Sequence, residues 1–204
     1  MTKIKLCGLK TAADIAAANA VQPEYIGFVF ALQSRRYIAP EKAALLRQRL
    51  DRNIAAVGVF VNEDVETVAA LLAEDIIDVA QLHGAEDERY IRQLKQLTDK
   101  EIIKAFKIES SADVKLAALS SADYILLDSG SGGMGMSFDW NLLQDLNRPY
   151  FLAGGLDSAN VSGAVCKLQP YAVDVSSGIE TAGRKDYAKM AAFINAVRNK
   201  SEGK

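Results

Sequence analysis

Apolar residues in this chain gather into short runs set at nearly regular intervals. They read IKL (4–6), YIGFVF (25–30), AVGVF (56–60), VAQLH (79–83), IIKAF (102–106), YILL (124–127), YFLA (150–153) and AVDVS (172–176). Most are bounded by Gly, Asp, Ser or Asn. Continuous apolar runs with such borders predict strands buried on both faces, the habit of a parallel sheet. Helical patterns fill the gaps. TAADIAAANA opens on Thr11 with Asp14 three residues on, a capping-box start. PEKAALLRQRL places Pro40 at a first helical position. NEDVETVAALLAE begins at Asn62 and carries acids in its first turn, where the helix dipole favours them. DERYIRQLKQL, SADVKLAALS, DWNLLQDL, SANVSGAVCKL and YAKMAAFINAVRN complete a set of eight.

Strand and helix therefore alternate eight times. Such alternation implies a parallel sheet with right-handed crossovers. Eight units in 204 residues suit an α/β fold of the closed (β/α)8 barrel type, the TIM barrel, at the compact end of its range. An open doubly wound sheet would favour a GxGxxG in the first turn, and CGLKT (7–11) stands there instead. Composition does not shift along the chain, so a single domain over 1–200 is expected, with 201–204 a loose tail.

Charge and cysteine content narrow the setting. A net charge of −2 offers no general basic surface for nucleic acid or anionic lipid. The start MTKIKLCG lacks the apolar region of a signal peptide, and no segment approaches a membrane span. Two cysteines, Cys7 and Cys166, are too few for a disulfide framework. A cytoplasmic protein with reduced thiols is expected.

Barrel enzymes act at the C-terminal ends of their strands. Those ends carry Cys7-Gly8, the loop with Arg35 and Arg36, Val61-Asn62, His83-Gly84, Lys107, Asp128, Gly154-Gly155 and Ser176-Ser177-Gly178. The last two, GGLDS and SSGIE, suit a phosphate, because glycine lets backbone N–H groups approach an anion. Against this, glycine also simply makes tight turns, and the adjacency of the two loops favours phosphate. Cys7 stands at the mouth of the first strand, and Asp128 at the mouth of the sixth. Each has an ordinary reading, a small buried residue and a helix cap. A thiolate and a carboxylic acid on two sides of one pocket suit a proton-transfer pair. Cys166, within the helical pattern VSGAVCKL, reads as a core residue. Arg36 can pair bidentately with a carboxylate. His83 reads as a hydrogen-bonded positioning residue, since one histidine is too few for a zinc or iron site.

KLCG (5–8), GFVF with SRRYI (27–38), VGVFVN (57–62), QLHG (81–84), LLD (126–128), GGMGMSFDW (132–140), AGGL (153–156) and VDVSSGIE (173–180) resemble phosphoribosylanthranilate isomerase, in order and over essentially the whole chain. The resemblance implies an Amadori rearrangement of N-(5-phosphoribosyl)anthranilate in tryptophan synthesis, with no cofactor and no metal. It implies Cys7 as general base, Asp128 as general acid, and Arg36 on the anthranilate carboxylate. The phosphate falls to the region of Gly154, Gly155, Ser177 and Gly178, and His83 belongs to the substrate site. The partner is a small molecule, and the chain is expected as a monomer or homodimer. Met134 and Met136 depart from the family's loop after the sixth strand. Two alternatives stay open. A histidine-pathway isomerase of the same fold would carry Asp where Cys7 stands, and a non-catalytic phosphate-binding barrel would not need the Cys7–Asp128 pair. Chemically, Asp128 should be raised in pKa so as to stay protonated. Cys7 should lie open to a pocket that favours thiolate, with Cys166 buried.

Overall fold

Eight parallel strands close on themselves in chain order in the computed structural model, which describes residues 1–128, 140–143 and 146–199. They are β1 (Lys3–Cys7), β2 (Tyr25–Val29), β3 (Ala55–Phe60), β4 (Val79–Leu82), β5 (Glu101–Lys107), β6 (Tyr124–Asp128), β7 (Tyr150–Ala153) and β8 (Ala172–Val175). Closure comes from β1 pairing with β8, where Lys5 stands beside Asp174. The helices are α1 (Ala12–Val21), α2 (Pro40–Arg47), α3 (Val65–Ala73), α4 (Glu88–Leu97), α5 (Ser111–Ala118), α6 (Val161–Leu168) and α7 (Tyr187–Arg198). The segment expected as a helix after β6 is described only over Trp140–Leu143, a 3-10 turn. The expected loose tail and Met134 and Met136 lie outside the described residues.

Alternation along each strand sorts the core into two compartments. Outward residues such as Ile4, Leu6, Ile26 and Phe28 join the large cluster beneath the helices. Inward residues, among them Tyr25, Val57, Ile103, Leu126 and Phe151, fill the barrel itself. On β1 the inward set is Lys3, Lys5 and Cys7, so two lysines and a thiol are aimed into the barrel.

The helix starts follow local chemistry. Thr11 and Asp14 make the capping box expected of them, and Ser110 with Asp113 makes another. Pro40 sits in the first turn of α2. The third helix differs: Asp64 is the cap residue, and Asn62 takes a left-handed φ of 53°. Its Oδ1 accepts instead from the Ala85 N–H at 2.7 Å, tying the β3 loop to the β4 loop. Cys166 also departs from its expected place, being exposed. On α6 the buried residues are Val161, Ala164 and Val165. One step beyond Val165 turns a side chain by about 100°, off that face and into solvent.

A short hairpin that the apolar pattern does not announce follows β8. It pairs Glu180–Thr181 (β9) with Arg184–Lys185 (β10) and sets Lys185 opposite Glu180.

Candidate active site

The C-terminal mouth of the barrel opens into a cavity of about 310 Å³. Cys7, Arg36, His83, Asp128, Gly154, Gly155 and Ser177 all line it. Of the residues expected there, only Gly178 stands behind the wall. A Cβ at that position would meet the Leu156 carbonyl oxygen at 2.0 Å. The loops after β7 and β8 are therefore packed backbone to backbone, and only glycine permits it. Gly154 and Gly155 take φ of 94° and 62°, a left-handed turn that glycine adopts without strain. Two glycines at the first strands make room as well. A Cβ on Gly27 would stand 2.7 Å from Cys7 Sγ, and one on Gly8 would stand 2.4 Å from Arg36 Cδ. Lys107 is not part of the mouth's pairing: it ends β5 in an exposed ion pair with Glu109 at 2.6 Å.

Cys7 is buried, 7% exposed, against the expectation of an open thiol. Burial pushes its pKa up; the Lys5 ammonium opposes this, and the Asp174 carboxylate adds to it. The low-dielectric barrel thus overrides the electropositive mouth that the sequence suggested. Beneath Cys7, Lys5 is fully buried, and its Nζ lies 3.0 Å from Asp174 Oδ1.

Asp128 stands across the mouth on β6. His83 Nε2 lies 3.6 Å from its Oδ2, too far for a good hydrogen bond. The other side of the imidazole is held from β4, where Gln81 Nε2 meets Nδ1 at 2.8 Å. Gln81 is itself buried. His83 thus stands between the β4 and β6 ends and is held by a side chain on its own strand.

Arg36 has a partner that the sequence did not reveal. Its Nε and Nη2 donate to Glu180 Oε1 and Oε2 at 2.6 and 3.0 Å. Glu180 also accepts from Arg35 Nη2 at 2.9 Å and from Lys185 Nζ at 2.8 Å. Burial would raise the Glu180 carboxyl, but the hydrogen bonds from Arg36 and Lys185 win and hold it at about 2. Lys185 is buried more deeply still and also donates to the Ser176 carbonyl at 2.9 Å. The side-on edge of the guanidinium is thereby fixed, and the end-on edge, Nη1 with the second Nη2 hydrogen, remains for another carboxylate.

Lys5, Gln81, Asp174, Glu180 and Lys185 were not singled out from the sequence. Lys5 and Asp174 had a readable signal: each is a charge inside a run that otherwise reads as buried strand. Such a charge demands a partner.

Comparison with known proteins places the chain in one family. Residues 4–196 match the family model for N-(5'phosphoribosyl)anthranilate (PRA) isomerase. An N-(5'-phosphoribosyl)anthranilate isomerase of Endomicrobium trichonymphae is 43% identical over 98% of this chain and 100% of its own. The crystal structure of phosphoribosyl anthranilate isomerase from Thermotoga maritima superposes with a TM-score of 0.90 at 34% identity, covering 98% of this chain and 100% of that one. A phosphoribosyl anthranilate isomerase in complex with reduced 1-(o-carboxyphenylamino)-1-deoxyribulose 5-phosphate superposes with a TM-score of 0.87 at 33% identity, with coverage of 98% and 100%.

Proposed function

The chain belongs to the N-(5'-phosphoribosyl)anthranilate isomerase family and is an isomerase of tryptophan biosynthesis; from that premise we propose that Asp128 and Cys7 carry its Amadori rearrangement as general acid and general base. The observation that supports this division is their placement. Cys7 ends β1, Asp128 ends β6, and both face one cavity. A phosphoribosyl ring held between them presents its ring oxygen to the carboxyl and its C2′ hydrogen to the thiol.

Asp128 gives a proton to the furanose ring oxygen as the C1′–O bond breaks, leaving an open-chain Schiff base. Cys7 as thiolate then removes the C2′ proton, and the electrons move toward nitrogen to give an enamine–enol. Tautomerisation of that enol delivers 1-(2-carboxyphenylamino)-1-deoxyribulose 5-phosphate. Each proton transfer between a positioned group and substrate is worth about 10²- to 10⁴-fold. The end-on edge of Arg36 takes the anthranilate carboxylate while Glu180 keeps the side-on edge. Backbone N–H groups around Gly154, Gly155, Ser177 and Gly178 take the phosphate. The chain acts in the cytoplasm on this reading; no helix among the described residues is long and apolar enough to cross a membrane.

The alternatives weighed from the sequence are not favoured. The matched family is the PRA isomerase family, and a barrel that only binds phosphate would have no use for an acid and a thiol facing each other. Freshly made phosphoribosylanthranilate tests the reading, because its fluorescence falls on turnover. Purified protein should consume it without added metal or cofactor, and Cys7→Ala should abolish the decay. Persistence of the fluorescence with the wild-type protein would reject the activity, and full activity of Cys7→Ala would reject the base.

A further inference from the structure

A buried thiol is a poor base unless something stabilises its anion, and the barrel supplies one candidate. Lys5 lies two residues before Cys7 on β1, so both side chains enter the barrel from the same face. Its ammonium is fully buried and has Asp174 Oδ1 at 3.0 Å. The β1–β8 register puts Lys5 directly beside Asp174, so the pairing is built into barrel closure. Burial drives the Cys7 thiol up, and the charge of the same ammonium opposes that rise. An ammonium has three hydrogens to place, and a buried one cannot leave them to water.

We infer that Lys5 is a positioning residue for Cys7: one ammonium shared between Asp174 and Cys7 is the counter-ion that allows the thiol to ionise inside the barrel, and Asp174 holds that ammonium in place. The thiol proton leaves through the open mouth to water, and Lys5 stays protonated throughout. Ionisation then turns one anion paired with one cation into two anions sharing one cation. The inference rests on the assignment of Cys7 as base and adds what makes that base usable. The other charged or titratable groups near Cys7 are Lys185 with Glu180 on the hairpin, Arg36 after β2, His83 after β4 and Asp128 on β6. Of these, Lys185 also favours the thiolate, less strongly than Lys5 does and with Glu180 drawing on its charge.

The two members of the pair should act on Cys7 with opposite signs, which no merely structural role predicts. In a Cys166→Ser background Cys7 is the sole thiol, and its alkylation rate against pH gives its midpoint without interference from the seven tyrosines. Lys5→Met should raise its midpoint by about one unit or more, lowering kcat/KM near neutral pH roughly tenfold and moving the alkaline rise of the profile upward. Asp174→Asn should lower the midpoint, because the ammonium is then left to Cys7. If Lys5→Met fails to fold, Asp174→Asn decides. An unmoved or raised midpoint in folded Asp174→Asn, or an unmoved midpoint in folded Lys5→Met, overturns the inference. Shifted thiol midpoints with an unshifted kcat/KM profile would keep the shared ammonium and remove Cys7 as base, so the two readings fail separately.

Discussion

The two ends of the barrel interior solve the same problem in different ways. At the lower end, Tyr25, Tyr124, Phe151 and Tyr171 pack ring against ring. Tyr124 and Tyr171 stack at 4.7 Å, and Phe151 meets Tyr25 edge-on at 5.5 Å. The three hydroxyls bond to one another, with Tyr171 the hub, and Lys3 Nζ donates to Tyr171 at 2.6 Å. Polar atoms there are few, neutral for the most part and mutually satisfied. At the upper end charges stand together: Lys5 with Asp174 inside the barrel, and Glu180 with Arg36, Lys185 and the exposed Arg35 at its mouth. Charges removed from water cost more than rings do, and paired ones often stabilise a fold less than apolar side chains would. The lower end is therefore built for packing, and the upper end gives up stability to hold charged groups around the cavity.

Substitutions can break this contrast. The largest effect belongs to the upper end. Asp128→Asn keeps the shape and removes the transferable proton, so kcat should fall by about 10²- to 10⁴-fold in steady-state kinetics, with stability little changed. A variant within a few-fold of wild type would leave Asp128 a structural residue. The mirror experiment at the lower end is Phe151→Ala. Phe151 is fully buried, and its loss should cost roughly 3–5 kcal/mol in denaturant unfolding. The turnover number of the folded fraction should stay near wild type. A selective collapse of kcat would mean that the lower end is not merely packing.

Next in size is Arg36→Met. Losing a charge-assisted pair with substrate is worth about 1.5–3 kcal/mol, so KM should rise roughly 10- to 150-fold with a much smaller change in kcat. An unchanged KM would show that Arg36 serves Glu180 and nothing else. The pH dependence of stability sharpens the charge argument. The Glu180 carboxyl is held at about 2, below its ordinary 4.5. A depressed acid stabilises the fold fully above its unfolded pKa, and that contribution is lost as pH falls from about 4.5 toward 2. Glu180→Gln should therefore remove part of the acid slope expected of wild-type unfolding midpoints. Parallel slopes would place the acid sensitivity elsewhere. The smallest effect is kinetic. Cys166 is exposed and Cys7 is buried with its thiol pushed up, so brief iodoacetamide should label Cys166 first without loss of activity. Activity should fall only as Cys7 is labelled; peptide mass spectrometry reads the order, and early labelling of Cys7 would contradict its burial.

The eight strands were legible because a barrel strand buries both faces and so leaves a continuous apolar run, a local signal that needs no knowledge of neighbours. The strand mouths followed from those runs, which is why Cys7, Arg36, His83, Asp128 and the two glycine loops could be named as candidates and are found around one cavity. Folding alone set the partners and the surroundings. Arg36 and Glu180 are 144 positions apart, and the hairpin joining Glu180 to Lys185 carries no apolar period to announce it. The facing of Cys166 depended on the phase of α6 against the barrel, which one helical turn of small residues leaves ambiguous. The charge on Cys7 depended on closure of β1 against β8, which buries the thiol and brings Lys5 and Asp174 beneath it. Periodicity is written residue by residue along a chain; burial and Coulomb partners belong to the space that the closed barrel encloses.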